Sequence, residues 1–278
     1  MSNEIKPLKI LHTSDIHLGA YDKRSGRFSD ENKIKQERHF IKIIELGIKH
    51  QVDAFLIPGD LFDNARVDDE TLVLFANEIK RLGVPTIVAP GNHDHVGPNS
   101  LYDRIDLNKI ASNLFILRNE SGSSITFDEL NLKIWAKAHT EEIPDFRPFS
   151  EPPARNYDGW YICMGHGHYI HPKAVQRHSF HISCQEINHL DCDYVALGHW
   201  EQYTIVEAGN NTLAAYSGAP ESLAHESGLG GRVLLVELNS KDDKKITALS
   251  LNGEEKIEHE DMPYLEADKD YNPFNEFK

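Results

Sequence analysis

The sequence predicts an α/β protein in which two β-sheets are layered on each other and flanked by helices. Three observations predict it. The first half of the chain alternates apolar strand-like runs with amphipathic helical stretches. The second half is a succession of short strand-like runs with little helical periodicity. The length, 278 residues with 40% of them hydrophobic, is enough to bury one large core or two small ones.

Taken in order, "PLKILHTS" is a short apolar strand. Residues 31 to about 49 carry Ile34, Phe40, Ile41, Ile44 and Ile48 at helical spacing, which predicts a helix burying that stripe. "DAFLIPGD" is a buried strand that ends in a glycine turn. A second helix over roughly 68–82 buries Leu72, Leu74, Phe75 and Ile79 and stops at Gly83. "VPTIVAPGN" is the third strand, and this alternation implies a parallel sheet with right-handed crossovers. The runs "SSITF", "LKIWAKA", "GWYICMG", "DYVALG", "YTIVEA", "NTLAAY", "GRVLLVEL" and "KITALSL" predict a second, largely antiparallel sheet, with one helix near 182–189. The proline-rich "EEIPDFRPFSEPPARNYDG" is expected as a surface loop. Residues 1–254 form the expected domain, and 255–278 an acidic C-terminal tail that could dock through the aromatics of "YNPFNEFK".

Several classes of protein are disfavoured. No run of eighteen or more apolar residues marks a membrane span, and "MSNEIKPLKI" lacks the layout of a signal peptide. Cys163, Cys184 and Cys192 are an odd set without CxxC spacing, which fits a reducing, cytoplasmic setting and neither a disulfide framework nor a zinc knuckle. A formal net charge of −15 argues against a surface that attracts nucleic acid everywhere. Metal ions can still supply positive charge locally.

The placement of ligand-type residues is the main functional clue. The first strand ends in Asp15 and His17, the second in Asp60 and Asp63, and the third in Asn92, His93, Asp94 and His95. "YICMGHGH" ends in His166 and His168, and "DYVALGHW" in His199. Asp, Asn and Gly are turn formers in their own right, but turn chemistry does not explain repeated histidine at strand ends. Functional groups gather at the carboxyl ends of strands in α/β sheets. A ligand set of carboxylate, imidazole and amide without thiolate suits two divalent ions, Mn²⁺ first, with Fe, Zn or Mg compatible. Asp60, on the central strand, is best placed to bridge them. A pair of metals about 3.5–4 Å apart can hold a bridging hydroxide and serve in-line displacement at phosphorus.

The order D-x-H, GDxxD, GNHD, a later H-G and a final G-H resembles the calcineurin-like metallophosphoesterase superfamily. "LHTSDIHLG", "DAFLIPGDLFD" and "PGNHD" are most similar to the SbcD-type nuclease subunit of DNA repair complexes, and "DYVALGH", "YSGAPESL" and "GRVLLVEL" resemble the end of that family's catalytic domain. The resemblance implies a metallophosphoesterase sandwich over roughly residues 8–240 and hydrolysis of phosphodiester bonds. It implies that Asp15 and His17 hold the first metal, Asp60 bridges, and Asn92, His166 and His199 hold the second. His93 would protonate the leaving oxygen, and Asp63 would hydrogen-bond and orient His93. His95 and His168 are further candidates for contact with substrate or metal. The chain departs from the family at "GHWEQ", where Glu201 stands in place of the second histidine of G-H-x-H. A glutamate oxygen is a competent ligand for Mn²⁺ or Mg²⁺.

For substrate, "YDKRSGRF" places Lys23, Arg24 and Arg27 beside Tyr21 directly after the first motif, a combination suited to a nucleic-acid backbone. Arg104 is a second basic candidate for the mouth of the site, whereas Arg147, Arg155 and Arg177 are scattered. The expected substrate is DNA, with a nucleotide or other small phosphodiester or phosphomonoester as the alternative. A non-catalytic nucleic-acid- or partner-binding subunit, motivated by Glu201, is a third. The resemblance also implies an SMC-like ATPase partner, although the segment that would dock on it is not evident after residue 254.

Overall fold

The computed structural model describes residues 5–20, 30–141, 143–173, 179–208, 211–221 and 231–267. The chain opens with β1 (Leu8–His12), α1 (Asp30–His50), β2 (Ala54–Pro58), α2 (Asp69–Leu82), β3 (Thr86–Ala89), α3 (Leu107–Ile110) and β4 (Leu114–Ile116). There follow β5 (Ser123–Phe127), β6 (Leu132–Ala136), β7 (Trp160–His166), β8 (His168–Tyr169), β9 (His181–Ile182) and α4 (Cys184–His189). The last group is β10 (Tyr194–Gly198), β11 (Tyr203–Val206), β12 (Leu213–Ser217), β13 (Arg232–Leu238), β14 (Lys244–Ser250), β15 (Lys256–Glu258) and β16 (Tyr264–Leu265).

Two seven-stranded sheets result, in the orders β15-β14-β13-β1-β2-β3-β4 and β16-β11-β12-β10-β7-β6-β5. In the first sheet β1 to β4 run parallel, as the strand–helix alternation predicts. Side chains alternate across each strand. Leu8, Ile10, Ala54, Leu56 and Ile87 face the second sheet, meeting Ile134, Ile162, Met164 and Ala196. Leu11, Phe55, Ile57 and Val88 face α1 and α2. The far side of the second sheet is covered by Phe149 from the proline-rich loop and Ile187 from α4.

Three expectations are corrected. "GRVLLVEL" and "KITALSL" become β13 and β14, which extend the first sheet, β13 antiparallel to β1 and β14 antiparallel to β13. The second sheet has a parallel centre, β6, β7, β10 and β12, with antiparallel pairs at β5–β6 and β11–β12. Strands buried on both faces read as continuous apolar runs, and their length alone does not reveal direction. The stretch expected as a tail from residue 255 supplies β15 to the first sheet and β16 to the second, with Met262 buried between them in sequence. Residues 268–278 lie outside the described residues.

The α1 stripe also differs. The buried face carries Gln36, Phe40, Ile43, Ile44 and Gly47, whereas Ile34 and Ile48 are exposed. Gly47 belongs to the stripe because the helix approaches closely there: a Cβ would lie 2.9 Å from Leu82 Cδ1 and 3.3 Å from Leu11 Cδ2. Gln36 accepts a hydrogen bond from Ala20 N at 3.0 Å. An amide and a glycine are invisible to a search for apolar residues. α2 forms where predicted and buries Leu72, Phe75 and Ile79, with Leu74 only half-buried; Asp68 accepts from Thr71 N at 2.8 Å and Gly83 (φ 77°) donates to Ile79 O.

Leu56 sits fully buried between the sheets. Leu56→Ala is expected to lower unfolding free energy by about 2–5 kcal/mol in urea titration; a loss under about 0.5 kcal/mol, the range of ordinary surface substitutions, would contradict the layering.

Candidate metal centre

The C-terminal ends of β1, β2, β3, β7 and β10 converge at one edge of the sandwich. The first two turns are zipped together by main chain: Asp15 N donates to Gly59 O (3.2 Å), His17 N to Asp60 O (3.0 Å) and Leu18 N to Leu61 O (2.9 Å). Asp15 (φ 53°), His17 (φ 51°), Asp60 (φ 51°) and His199 (φ 99°) all take positive φ. Non-glycine residues occupy this region at a cost, typically about 1–3 kcal/mol each, and such strain collects at functional sites. Glycines admit the close approach. A Cβ on Gly59 would lie 2.2 Å from His166 Nδ1, one on Gly91 2.3 Å from Asp60 Oδ1, and one on Gly198 2.0 Å from Pro58 O.

Asp60 is the hub. Its Oδ1 accepts from His93 N at 3.0 Å, and its Oδ2 lies 3.3 Å from His166 Nε2 and 3.9 Å from His17 Nε2. Asp15 stands beside it, with Oδ2 accepting from the Ser14 hydroxyl (2.5 Å) and from His199 N (2.9 Å). Asp15, Asp60 and His166 can each offer a ligand atom within 4.8 Å of the others, and all three are buried. His166 Nδ1 donates to Pro58 O at 3.0 Å, which aims Nε2 inward, where Asn92 Oδ1 is 3.1 Å away. The His199 ring centroid is 5.1 Å from that of His166.

Nearer solvent, His17, Asp63 and His93 form a second group with the same spacing. His93 is exposed and donates from Nδ1 to the main-chain carbonyl of Asp63 at 2.8 Å, so Nε2 is turned away from that bond. Asp63 does hydrogen-bond His93, but through its main chain. Its carboxylate instead faces His17 Nδ1 at 3.4 Å and accepts from Asn64 Nδ2 at 2.8 Å. That is the carboxylate–histidine pairing that commonly orients a metal-binding imidazole.

Asp94 lies in the third motif, and the structure supplies the role that the sequence does not. Buried at 1% exposure, it accepts from Gly91 N (2.7 Å), Leu61 N (3.0 Å), Asp60 N (3.2 Å) and Tyr102 Oη (2.7 Å). It thereby ties the turn after β3 to the turn after β2. His139 also escapes a reading of the sequence. Fully buried, it donates from Nε2 to the His166 carbonyl at 2.9 Å. No spacing in the sequence marks either role, because most of their partners are main-chain atoms.

Electrostatics supply the test of whether cations fit. Burial pushes the Asp15 carboxyl up, and neighbouring Asp60 adds to this against His166 and His17. Burial would also raise Asp60, yet His166 and then His17 hold it well below the usual carboxylate range. Burial opposes charge on His17 and His166, but Asp63 with Asp60 brings His17 up to about 9, and Asp60 brings His166 up to about 9. His199 is pushed down by burial and by His166, so it stays neutral and able to donate a lone pair. Two buried carboxylates thus draw positive charge onto the surrounding imidazoles. Oxygen and nitrogen donors without sulfur, in this arrangement, fit two divalent cations.

Other candidates fall elsewhere. Glu201 follows His199 by two residues, and its main-chain carbonyl accepts from Ala219 N at 3.0 Å; its carboxylate is in neither ligand group. Arg104 does not face the mouth: it donates to Ala65 O and Val67 O and pairs with Asp69. Arg147 is bound to His181 O and Glu186, and Arg155 to Asp193. His168 accepts from Trp200 Nε1 at 2.9 Å, and His95 Nδ1 accepts weakly from Gly97 N. Lys23, Arg24, Arg27 and Arg177 lie outside the described residues.

The fold and this site define a phosphoesterase architecture, and the chain belongs to the calcineurin-like phosphoesterase family of hydrolases, whose family model matches residues 8–203. Among its relatives is the DNA double-strand break repair protein Mre11 of Saccharolobus solfataricus, 32% identical over 112 residues, 37% of this chain and 28% of that protein. The SbcD component of the nuclease SbcCD from Escherichia coli K12 is 32% identical over 92 residues, 32% of this chain and 22% of that one. A Fibrobacter succinogenes protein named "Probable cyclic nucleotide phosphodiesterase" is 27% identical over 157 residues, 50% of this chain and 54% of its own. The chain therefore spans between 22% and 54% of these relatives' lengths. The fold is shared with purple acid phosphatase PPD1 from yellow lupin, with a TM-score of 0.52 at 13% identity, covering 95% of this chain and 55% of that one. No helix among the described residues is long and apolar enough to cross a membrane.

A pH dependence follows from the raised histidines. Below about pH 9 the metal-free site carries protons on His17 and His166 that a cation must displace. Apparent metal affinity is therefore expected to weaken as pH falls from about 9, with proton release on binding. Calorimetry in buffers of differing ionisation enthalpy measures this, and pH-independent binding with no proton release would contradict it.

Proposed function

We propose that this chain is a two-metal phosphodiesterase that hydrolyses DNA. The observation that carries the reading is Asp60, buried between His17 and His166 with Asp15 alongside and the exposed His93 anchored to the turn that carries Asp60 and Asp63. In this reading Asp15, His17 and, directly or through water, Glu201 would hold the first ion, Asn92, His166 and His199 would hold the second, and Asp60 would serve both. Such ions, Mn²⁺ by preference, would supply positive charge for the phosphate and acidify water for hydrolysis.

The chain's own residues do the rest. The Asp63 carboxylate holds His17 in place, and the Asp63 carbonyl fixes the tautomer of His93. With Nδ1–H committed to the carbonyl, Nε2 carries a proton only in the doubly protonated imidazolium, and it is that form that would protonate the departing oxygen and be left as the Nδ1–H tautomer. His93 N, donating to Asp60 Oδ1, ties the proton donor to the bridging ligand, so the two move as one unit.

DNA is favoured over a small ester by the relatives named for DNA repair and nuclease function, and by the basic stretch Lys23, Arg24 and Arg27. A nucleotide-sized substrate is the second reading, favoured by the net charge of −15 and by the Fibrobacter relative, which aligns with the larger share of the chain. Partnership with an SMC-like ATPase and a cytoplasmic location belong to the first reading.

Incubation with Mn²⁺ and either end-labelled DNA or a chromogenic phosphodiester separates the two. Nucleotide release from DNA is expected, abolished by chelation and by Asp60→Asn and reduced about 10²–10⁴-fold by His93→Ala. Turnover of the small ester alone would overturn the DNA reading. Neutralising Lys23, Arg24 and Arg27 together is expected to raise KM for DNA and leave small-ester hydrolysis near its starting rate; equal losses on both substrates would remove the basic stretch from DNA binding.

A further inference from the structure

β12 ends at Ser217, within "YSGAP", a stretch that the metal reading leaves without a task. Ser217 is buried at 1% exposure and Ser14 at 0%. The two hydroxyl oxygens are 2.9 Å apart, and Ser14 Oγ is 2.5 Å from Asp15 Oδ2. We infer that Ser217 is a positioning residue for the metal centre: its hydroxyl donates to Ser14, Ser14 donates to Asp15 Oδ2, and this chain sets which carboxylate oxygen is offered to a cation. The inference rests on the metal reading under Proposed function.

The direction of the chain follows from hydrogen counting. Each serine hydroxyl has one hydrogen and can also accept. An ionised carboxylate only accepts, so the Ser14 hydrogen goes to Asp15. The Ser14 oxygen is then an acceptor for Ser217. Gly218 O, 3.1 Å from Ser217 Oγ, competes for the same hydrogen. The Ser14 direction is favoured because it ends on a charge, and hydrogen bonds that end on a charge are shorter and stronger and polarise the links behind them.

Asp15 Oδ2 receives a second donor, His199 N, at 2.9 Å. With two donors on Oδ2, the oxygen available to a cation is Oδ1, and the carboxylate plane is held against rotation. Both restraints arrive from the second sheet, His199 after β10 and Ser217 at the end of β12, onto a ligand that follows β1 of the first. Burial works against charge on Asp15, so the orientation of its few donors governs how well it holds an ion.

The test is a Mn²⁺ titration of the whole chain, reading free Mn²⁺ by electron paramagnetic resonance, with thermal unfolding to confirm that each variant is folded. Ser217→Ala is expected to weaken one of two sites about tenfold and leave the other unchanged. Ser217→Thr, which keeps the hydroxyl, restores tight binding. Ser217→Cys keeps the volume with a poor donor and falls between the two, which serves where the alanine variant does not fold. In an Asp15→Asn background, Ser217→Ala is expected to add nothing further. A folded Ser217→Ala with the isotherm of the unaltered chain overturns the inference, as does an equal loss in the Asp15→Asn background. An unaltered chain that binds no Mn²⁺ overturns the metal reading itself, a result distinct from either.

Discussion

Asp15 and Asp60 stand side by side out of water, and burying a carboxylate costs several kcal/mol unless partners offset it. Each has been given such partners, and the partners differ in kind. Asp60 has imidazoles on two sides, His17 and His166, which keep it ionised. Asp15 has burial and neighbouring Asp60 against it, which His166, His17 and its two neutral donors, a hydroxyl and a main-chain N–H, do not fully offset. The pair is left with more negative charge than the surrounding protein comfortably holds. A site of this kind is stabilised by anything cationic that enters it, whether protons on histidine or divalent ions. The same imbalance that weakens the empty site gives it affinity.

Holding that imbalance requires a stiff frame, and the frame is main chain. The turns after β1 and β2 are laced by backbone hydrogen bonds, and the turns after β2 and β3 are gathered by Asp94. Gly59, Gly91 and Gly198 stand where any side chain would collide with His166, Asp60 or Pro58. Asp15, His17, Asp60 and His199 hold positive φ that would relax if the turns were free. Strain persists there because neighbouring bonds over-determine the backbone. Side chains offered from such positions have few alternative directions, which suits ligands that must meet at a fixed point.

Much of this is legible in the sequence for a physical reason. Parallel strands with both faces buried are runs of Val, Ile, Leu and Ala, and a histidine or aspartate that ends such a run stands out. Asp15, Asp60, His166 and His199 are visible on that ground, and Asn92 through its place in the third strand's turn. Sheet membership is harder. β13 and β14 read like the strands before them, and only the pairing of Leu8 with Leu238 and its neighbours assigns them to the first sheet. The α1 stripe misleads because Gln36 and Gly47 are buried without being apolar. His139 and Ser217 are not singled out by the sequence, and Asp94 is singled out without its role, since each acts on an atom whose position depends on tertiary contact.

Net charge brings the two halves of the reading together. A chain of −15 repels a polyanion at long range, and three of the described arginines do not relieve this: Arg104, Arg147 and Arg155 are engaged by Asp69, Glu186 and Asp193. Among the described residues, His17 and His166 are drawn to positive charge at the centre, and cations bound there would add to it. Cations held by Asp15 and Asp60, both buried, would act on a phosphate in little water, where Coulomb attraction is strongest. On the proposed reading, metal would therefore serve phosphate binding as well as cleavage. On that reading an acidic surface would serve selectivity: away from the centre it would disfavour nonspecific contact with nucleic acid, and at the centre bound ions would reverse its sign over a few ångströms.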